Sequence, residues 1–385
     1  MKLLIFPDCH FGYGRGTELW EDSFELAAEA LSRAGDVDSI LLAGDVFDSR
    51  MPDLDTLTRT IQLLLGPVSQ ERNIAISEHG SKAAESISPL MRKGIPVVAI
   101  HGTHERRARG LLNPVQALER SGFLIYLHCN GVVCEKGGER VCVQGMSGVP
   151  EQYASNVLKE WGPKPQENCF NIFMIHQNIK KFVFSHAGLE MEELPPGFDL
   201  YVSGHIHDPQ QFLFNSKPFI ITGSLVPTQL TKESVKQRGF WIVDTASGGI
   251  EFVEFEKQRK VYYKAFAQAE QEQVEQYIEN VLSTPHEKAP LIRIKLVGSI
   301  AENELRVRFH GKALLSFRKE VQEASAIKSL EEHKLSVQEL GKQLLQKNLE
   351  KQDLKPELFE TIFELLLNKK QKEALELLSS QQLSK

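Results

Sequence analysis

The sequence predicts an α/β protein in which short buried strands alternate with amphipathic helices. Five runs of apolar residues, rich in valine, isoleucine and leucine, are the right length for buried strands. Helical patterns follow the first two runs, which is the order of βαβ units with helices on both faces of a sheet. The composition, 41% hydrophobic and 25% charged, is that of an ordinary globular protein and argues against wholesale disorder.

The first 100 residues are predicted to contain strands and helices in βαβ order. Strands are expected at residues 3–6, 40–43 and 96–100, and helices at 19–34 and 54–65. Pro67, Gly80 and Pro89 interrupt the stretch 66–94. For that stretch we expect a loop and one helix, at 82–93.

The next part of the chain is predicted to be mainly β structure. Strands are expected at 172–175, 200–202, 219–222, 240–244 and 250–255, with the last three forming an antiparallel segment. Between residues 122 and 146, Asn130-Gly131 and Gly137-Gly138 predict hairpin turns. We expect this first domain to end near Lys260.

The length of 385 residues exceeds one compact core and fits two or three domains. We expect three, covering residues 1–260, 261–325 and 326–385. The second is predicted to be a small α+β domain, with strands at 261–266, 291–296 and 305–309 and a helix at 270–282. The third carries two amphipathic helices, at 337–351 and from Pro356 onward. Their wide apolar stripes fit either a partner protein or docking onto their own chain.

Charge and cysteine content narrow the class of protein. The net charge of −6 gives no overall attraction to nucleic acid, so a polyanionic substrate needs a local basic surface or metal ions. Residues 291–320 are locally basic, with seven Lys or Arg against three acids, although a solvated face explains this as well. Five cysteines without a C-x-x-C pair argue against a disulfide framework and a thiolate zinc site.

The sequence shows no targeting or membrane-spanning pattern. The N-terminus runs directly into a predicted strand, without the charged region and apolar stretch of a signal peptide. No run approaches the ~20 apolar residues that a membrane-spanning helix needs. We therefore expect a soluble, cytoplasmic protein with no membrane partner.

Histidine and aspartate residues follow five of the predicted strands. They are Asp8 and His10, Asp45 and Asp48, His104, His176, and His205 and His207. Ligands bind at the carboxyl ends of strands in open α/β sheets, so we expect these residues to form one site. The D-x-H and H-x-H spacings would place both side chains on one side of an extended stretch.

Aspartate and histidine without cysteine favour a divalent ion such as Mn²⁺, Fe²⁺ or Zn²⁺. Asp45 has two carboxylate oxygens and could bridge two ions. Two ions ~3.5 to 4 Å apart can activate a water and stabilise an in-line displacement at phosphorus. The sequence therefore predicts chemistry on a phosphoester.

These motifs resemble the five ordered motifs of the calcineurin-like metallophosphoesterases. The resemblance rests on Pro-Asp8-Cys-His10, Gly44-Asp45-Val-Phe-Asp48, Gly102-Thr103-His104-Glu105, Met-Ile-His176 and Gly204-His205-Ile-His207. Within that superfamily the chain is most similar to the SbcD-type nucleases, the nuclease subunits of a double-strand-break repair complex in archaea and bacteria. The resemblance implies a two-sheet sandwich flanked by helices, a DNA-capping domain at 261–325, and a terminal helix pair that binds an SMC-like coiled-coil ATPase.

The resemblance also implies two Mn²⁺ ions, with Mg²⁺, Fe²⁺ or Zn²⁺ as alternatives. One ion would be held by Asp8, His10, Asp45 and His207, and the other by Asp45, Thr103, His176 and His205. Thr103 stands where the family normally has asparagine, and its hydroxyl reaches less far than an amide oxygen. The second ion is therefore expected to bind more weakly.

Further roles follow for residues around these ligands. His104 would be the catalytic histidine, with Asp48 as its partner. Arg106, Arg107 and Arg109 would contact phosphates that flank the scissile bond, although a solvated loop accounts for them equally well. Members of the family form homodimers through helices of the nuclease domain, a role that the helix at 54–65 could fill.

The sequence thus predicts a Mn²⁺-dependent DNA exonuclease and endonuclease that acts with an SMC-like ATPase at double-strand breaks. One alternative keeps the chemistry and changes the substrate to a small phosphodiester or a phosphoprotein. A second alternative is a DNA-binding scaffold with an impaired metal site, and Thr103 is its only support.

Overall fold

A computed structural model describes residues 1–320 apart from 109, 183–186, 268–269 and 298–299, together with residues 361 and 365. The chain divides into two compact units, Met1–Arg318 and Lys319–Lys385. The helix predicted at 337–351 lies outside the described residues, as does the rest of the predicted third domain apart from Thr361 and Leu365, which are helical. Among the described residues, no helix combines the length and apolar character needed to cross a membrane.

The described part of the chain contains strands and helices throughout. The strands are β1 (Lys2–Phe6), β2 (Ser39–Leu42), β3 (Ala75–His79), β4 (Val97–Ala99), β5 (Ile125–Tyr126), β6 (Asn130–Lys136), β7 (Glu139–Met146), β8 (Phe170–Ile175), β9 (Leu200–Ser203), β10 (Gln210–Phe214), β11 (Lys217–Ile221), β12 (Gly239–Asp244), β13 (Gly249–Glu254), β14 (Val261–Phe266), β15 (Leu291–Val297) and β16 (Leu314–Glu320). The α-helices are α1 (Trp20–Leu31), α2 (Leu54–Val68), α3 (Pro89–Lys93), α4 (Pro114–Arg120), α5 (Glu151–Trp161), α6 (Gln271–Leu282) and α7 (Glu302–Arg308).

Two mixed sheets form the body of the protein. The first has six strands in the order β13-β12-β1-β2-β4-β5, and the second has seven in the order β10-β11-β9-β8-β7-β6-β3. The central strands β1, β2 and β4 run parallel, as do β7, β8 and β9. The predicted α/β class is confirmed.

The central strands are buried on both faces, which explains their continuous apolar sequences. In the first sheet, Leu4, Ile40 and Val98 have no exposed surface. In the second sheet, Ile172 and Val202 are equally buried. The polar residues that follow these strands are therefore held on a rigid base.

The stretch 66–94 differs from the expectation. An unexpected strand, β3, pairs antiparallel with β6 at the edge of the second sheet. The helix expected at 82–93 begins only at Pro89, because Ser88 caps it through a bond from the Met91 N–H (3.2 Å) and proline favours a first helical position. Lys82 lies outside any helix, and its ammonium donates to the Tyr126 carbonyl (2.7 Å).

Only one of the two predicted hairpins is present. Gly137 and Gly138 adopt positive φ and connect β6 to β7, which pair antiparallel. The prediction for Asn130-Gly131 is wrong, because β6 begins at Asn130 and the preceding strand β5 belongs to the first sheet. The chain crosses between the sheets here, with Cys129 at a φ of +54°.

The predicted antiparallel segment of three strands is also wrong in part. β12 and β13 pair antiparallel in the first sheet, as expected. β11 instead lies in the second sheet, parallel to β9 and antiparallel to the unpredicted edge strand β10. The reason is packing, since the Phe219 ring stacks on Phe212 (4.7 Å between centroids) and on Tyr201 (5.9 Å) in the second core. Helices α4 and α5 were not predicted either.

A third, three-stranded sheet follows, in the order β14-β15-β16. The strand expected at 305–309 is wrong, because these residues lie largely in α7. Leu305 and Phe309 are four residues apart and both buried, so they share one helix face. Glu302 in the first turn and Arg308 in the last turn complement the helix dipole.

A buried ion pair ties this small sheet to the first helix. The Arg259 guanidinium donates to both carboxylate oxygens of Asp22 in α1 (2.6 and 3.0 Å) and to the Ala289 carbonyl (2.6 Å). Lys288 also donates to Asp22 (3.2 Å). The loop before β15 is therefore anchored to the body that carries the two large sheets.

Candidate metal centre

The polar residues at five strand ends converge from both large sheets. β1, β2 and β4 supply them from the first sheet, and β8 and β9 from the second. Two groups of potential ligand atoms, each within 4.8 Å of one another, share a carboxylate: Asp8, His10, Asp45 and His207, and Asp45, His176 and His205; a third set, His10, Asp48 and His104, meets the same distance. Asp45 belongs to both groups.

The first group gathers imidazole nitrogens against carboxylates. His10 Nε2 and His207 Nε2 face each other at 3.2 Å. His207 Nε2 is 3.7 Å from Asp8 Oδ2, and His10 Nε2 is 4.0 Å from Asp45 Oδ2. Nitrogen and oxygen donors that converge in this way, with Asp8 and His10 fully buried, fit a divalent cation.

The second group contains a buried nitrogen without a hydrogen bond. His176 Nε2 is sealed from solvent and has no hydrogen-bond partner, although it lies 3.2 Å from Asp45 Oδ2. The Thr103 hydroxyl lies 3.5 Å from the same carboxylate oxygen. Since buried polar atoms are normally satisfied, this nitrogen also fits a cation.

In each of the four histidines of these groups, one ring nitrogen contacts an oxygen atom of a residue outside the groups. The contacts are His10 Nδ1 with Asp48 Oδ1 (3.1 Å), His176 Nδ1 with the Ala43 carbonyl (2.8 Å), His205 Nε2 with Asn178 Oδ1 (2.8 Å), and His207 Nδ1 with Thr228 Oγ1 (3.1 Å). Such outer contacts orient histidine ligands and fix their tautomers. Asn178 and Thr228 were not singled out from the sequence, where neither belongs to a motif of its own.

Three residues of the groups adopt left-handed backbone conformations. The φ angles are +47° at His10, +43° at Asp45 and +77° at His205. The expectation that D-x-H and H-x-H lie on extended stretches is therefore wrong, because the chain turns at these residues. Non-glycine residues rarely adopt such angles, and they do so mainly at functional sites.

Two glycines let the loops approach closely enough to form the groups. A Cβ on Gly102 would overlap the Asp45 carboxylate, and one on Gly44 would overlap the His176 ring. Gly44 also has a φ of +103°, a conformation that glycine adopts without strain.

Glu105 joins the loops that follow β2 and β4. It is fully buried, and its carboxylate accepts from the Phe47 N–H (2.8 Å) and the Gly102 N–H (2.7 Å). Burial, together with the charge of Asp45, raises the pKa of Glu105 to about 8. Its structural role was not recognised in the sequence.

His104 lies beside the two groups, with its side chain 41% exposed. Its backbone N–H donates to Asp45 Oδ1 (2.9 Å), and its Nδ1 donates to the Asp48 carbonyl (2.9 Å). The Asp48 carboxylate lies 3.5 Å from Nδ1, and this contact raises the pKa of His104 to about 9. Burial raises the pKa of Asp48, but the bonds from His10 and His104 outweigh it and lower the value to about 2.

The groups open into a cleft of about 710 Å³. Asp45, Asp48, His104 and His207 line it, together with Asn178, Thr228 and Arg238. Of the three arginines expected to contact phosphates, Arg106 and Arg107 do not line this cleft, and Arg107 donates to the Leu112 carbonyl (3.3 Å). Arg109 lies outside the described residues.

The sequence profile of the calcineurin-like phosphoesterase family matches residues 1–209 of the chain. The chain belongs to this family. The matched residues include both Asp/His groups, so the phosphoesterase has a candidate metal-binding site at the strand ends where the sequence predicted one.

Several curated relatives of this phosphoesterase are DNA repair proteins. It is 27% identical over 290 residues to the DNA double-strand break repair protein Mre11 of Methanopyrus kandleri, covering 68% of this chain and 58% of that protein. It is 29% identical over 253 residues to the double-strand break repair protein of the same name from Coprinopsis cinerea, covering 54% and 34%. For the human protein the figures are 27% over 274 residues, covering 61% and 38%. The chain thus spans less than two thirds of the length of these relatives.

Proposed function

We propose that this phosphoesterase is a metal-dependent DNA nuclease that hydrolyses phosphodiester bonds with two bound ions, most readily Mn²⁺, in the repair of double-strand breaks. The observation that supports this most directly is the pair of Asp/His groups that share Asp45 at the base of an open cleft. The repair proteins among its relatives favour DNA as the substrate.

The residues fit two ions in the arrangement expected from the sequence. Asp8, His10, Asp45 and His207 would hold the first ion, and Asp45, Thr103, His176 and His205 the second. Bound ions of this kind lower the pKa of water and stabilise negative charge on phosphoryl oxygens. The buried Asp8 and Asp45 carboxylates supply negative charge that offsets part of the charge of two divalent cations.

His104 is suited to act on the leaving oxygen. Its Nδ1 is engaged by Asp48, so Nε2 is the ring nitrogen left for a substrate in the cleft. A histidine held in this way donates a proton to the departing oxygen as a general acid. Asp48 would act through His104 and through the ligand His10, both of which it contacts.

The proposed partners, and the proposed roles of the other two domains, rest on the sequence resemblance. A homodimer through α2 is supported by Leu54 and Leu65, which are 79% and 50% exposed, whereas Thr56, Thr60 and Leu64 of the same helix are buried. Binding of an SMC-like ATPase is assigned to residues 326–385. DNA capping is assigned to 261–325.

The structure limits how much of the basic charge of the small domain is free for DNA. Arg308 pairs with Glu275 and Glu279, Arg306 bonds to the Leu315 carbonyl, and Arg293 bonds to Ser316. Lys312 and Arg318 form no ion pair with other described residues. These two residues are therefore the best candidates for phosphate contacts in this domain.

The proposal is tested by incubating end-labelled duplex and single-stranded DNA with the full chain and Mn²⁺, Mg²⁺ or a chelator. We expect Mn²⁺-dependent degradation that is lost in His104→Ala and retained in His79→Ala, a matched histidine on the edge strand β3. DNA binding without cleavage in every metal, with little bound metal, would instead favour the scaffold.

One feature favours a different substrate. Arg238 is the only lysine or arginine among the described residues that line the cleft, alongside the acids Asp45, Asp48, Asp208 and Glu233. A small phosphodiester needs fewer cationic contacts than a DNA strand. Rapid hydrolysis of bis(p-nitrophenyl) phosphate with no cleavage of either DNA would support this alternative.

A further inference from the structure

Arg238 is a buried cation at the wall of the cleft. It directly precedes β12, is only 6% exposed, and lines the cleft near His207. Nη1 donates to the Ser224 carbonyl (3.1 Å) and to Ser224 Oγ (2.7 Å). Nε is sealed from solvent and has no hydrogen-bond partner. One nitrogen of the guanidinium is therefore fixed by Ser224, and a second is buried without a partner.

No carboxylate among the described residues forms an ion pair with Arg238. One carboxylate of the cleft wall, Asp208, is already engaged by the Lys236 ammonium (2.7 Å). Burial lowers the pKa of Arg238 to about 10, so the side chain remains charged at neutral pH. A buried charge without a counter-charge is costly, and such charges are normally paired.

The cleft gives an anion access to Arg238. Arg238 borders the cleft, and the other described residues that line it include no lysine or arginine. Arg238 is therefore the one lysine or arginine that an anion in the cleft meets among the described residues of its wall. Planar guanidinium groups bind phosphate through paired N–H donors, and they keep their charge when buried.

Arg238 is not paired with the carboxylates of the metal groups. Among the described residues, Asp8, Asp45 and Asp48 form no ion pair with it, and it lines the cleft together with His207. Its guanidinium therefore remains available to an anion in the same cleft.

We propose that Arg238 binds a phosphate of the substrate strand next to the scissile phosphate, and that Ser224 is the positioning residue that holds its guanidinium. The inference rests on the proposed nuclease function, because it assumes a substrate with more than one phosphate. This contact would determine which phosphate of the DNA strand lies at the metal groups.

The test compares short single-stranded oligonucleotides that differ at one phosphate. In each, one phosphate beside the scissile position is replaced by a neutral methylphosphonate, and binding to the full chain is measured by fluorescence anisotropy in chelator. For the wild type, we expect one replacement to weaken binding about tenfold, as for a hydrogen bond to a charged group. Arg238→Gln should weaken binding of the unmodified oligonucleotide by a similar factor. In this variant the same methylphosphonate replacement should not weaken binding further.

Matched variants separate charge from packing. The preference for phosphate is the ratio of affinities for phosphate and for methylphosphonate at this position. Arg238→Lys keeps the charge and should retain part of this preference, while Ser224→Ala should reduce it. Arg59→Gln removes an arginine that is paired with Glu21 and does not line the cleft, so it should keep the full preference. Thermal melting identifies any unfolded variant, in which case Arg238→Lys and Ser224→Ala carry the comparison.

A preference for phosphate that persists in Arg238→Gln, or that is absent from the wild type at every position, overturns the inference. Equal weakening of all oligonucleotides with the preference intact would show a structural role only. Since binding is measured without cleavage, the result is independent of the nuclease assay. Loss of the preference in Arg238→Gln together with no DNA cleavage by the wild type would sink the nuclease proposal and leave the phosphate site standing.

Discussion

The two Asp/His groups share one carboxylate but differ in what else they offer a cation. The first combines Asp45 with a second carboxylate, Asp8, and with two imidazoles. The second combines Asp45 with two imidazoles and the hydroxyl of Thr103, 3.5 Å from the Asp45 carboxylate. The first group therefore carries one more negative charge and one more strong donor.

This difference indicates an order of filling. A carboxylate contributes both charge and a good oxygen ligand, whereas a neutral hydroxyl contributes little of either. We infer that the first group binds its ion tightly and that the second fills only at higher metal concentration. Activity should then follow occupancy of the second group.

The most severe disruption is Asp45→Asn, which removes the charge common to both groups. DNA hydrolysis should fall by at least about 10³-fold, more than the 10- to 100-fold that outer contacts are worth. Bound metal after dialysis, measured by mass spectrometry, should fall for both ions. Asp199→Asn, a carboxylate paired with Lys217 outside the groups, serves as the control. Two ions retained in Asp45→Asn would contradict the shared carboxylate.

Single histidine substitutions should separate the two groups. His207→Gln should abolish the tight phase of a calorimetric Mn²⁺ titration, whereas His205→Gln should leave it and remove the weak phase. The reason is that each side chain belongs to one group only. Indistinguishable titrations of the two variants would mean that the groups do not act as separate sites.

Loss of a hydrogen bond to a ligand histidine should also affect one ion only, with a smaller change in affinity. Thr228→Val releases His207, and Asn178→Ala releases His205. Each should weaken one ion by roughly 10- to 100-fold, the first ion for Thr228 and the second for Asn178. The same titration reports both, and an effect of Asn178→Ala on the tight phase would argue against this assignment.

The smallest expected effect is a reduced difference in ion affinity between the two groups. Thr103→Asn supplies an amide oxygen with a longer reach, so the second ion should bind more tightly by about tenfold, within the range known for ligand-shell changes. DNA cleavage should then saturate at lower Mn²⁺ concentration. Thr103→Val keeps the shape without the hydroxyl and should shift saturation the other way. Identical Mn²⁺ dependence in all three proteins would show that residue 103 does not contact the ion.

The groups could be anticipated because their members directly follow buried strands. Asp8, Asp45 and His176 each come within three residues of a strand end, so a local pattern places them. Arg238, Asn178 and Thr228 act through contacts between loops that are distant in the sequence: Arg238 reaches Ser224 across the two sheets, and the other two reach histidines that follow β9 of the second sheet. Position in the sequence carries no signal for such contacts.

The errors in the fold have the same origin. The apolar run of β11 resembles that of β12, and only the stacking of Phe219 on Phe212 and Tyr201 decides which sheet it joins. At 305–309 the alternating polar residues suggest a strand, whereas burial of Leu305 and Phe309 on one face selects a helix. Periodicity over a few residues does not separate these cases.

The left-handed backbone at His10, Asp45 and His205 restricts how this sequence can diverge. A replacement there has to suit a cation and also tolerate a positive φ, which leaves histidine, aspartate and asparagine as the main candidates. His176 is not among the residues with positive φ, and only its side chain is constrained. In related sequences that had lost catalysis, position 176 should therefore be substituted before position 45. The order in which these positions change would then reflect the backbone conformation as well as the chemistry.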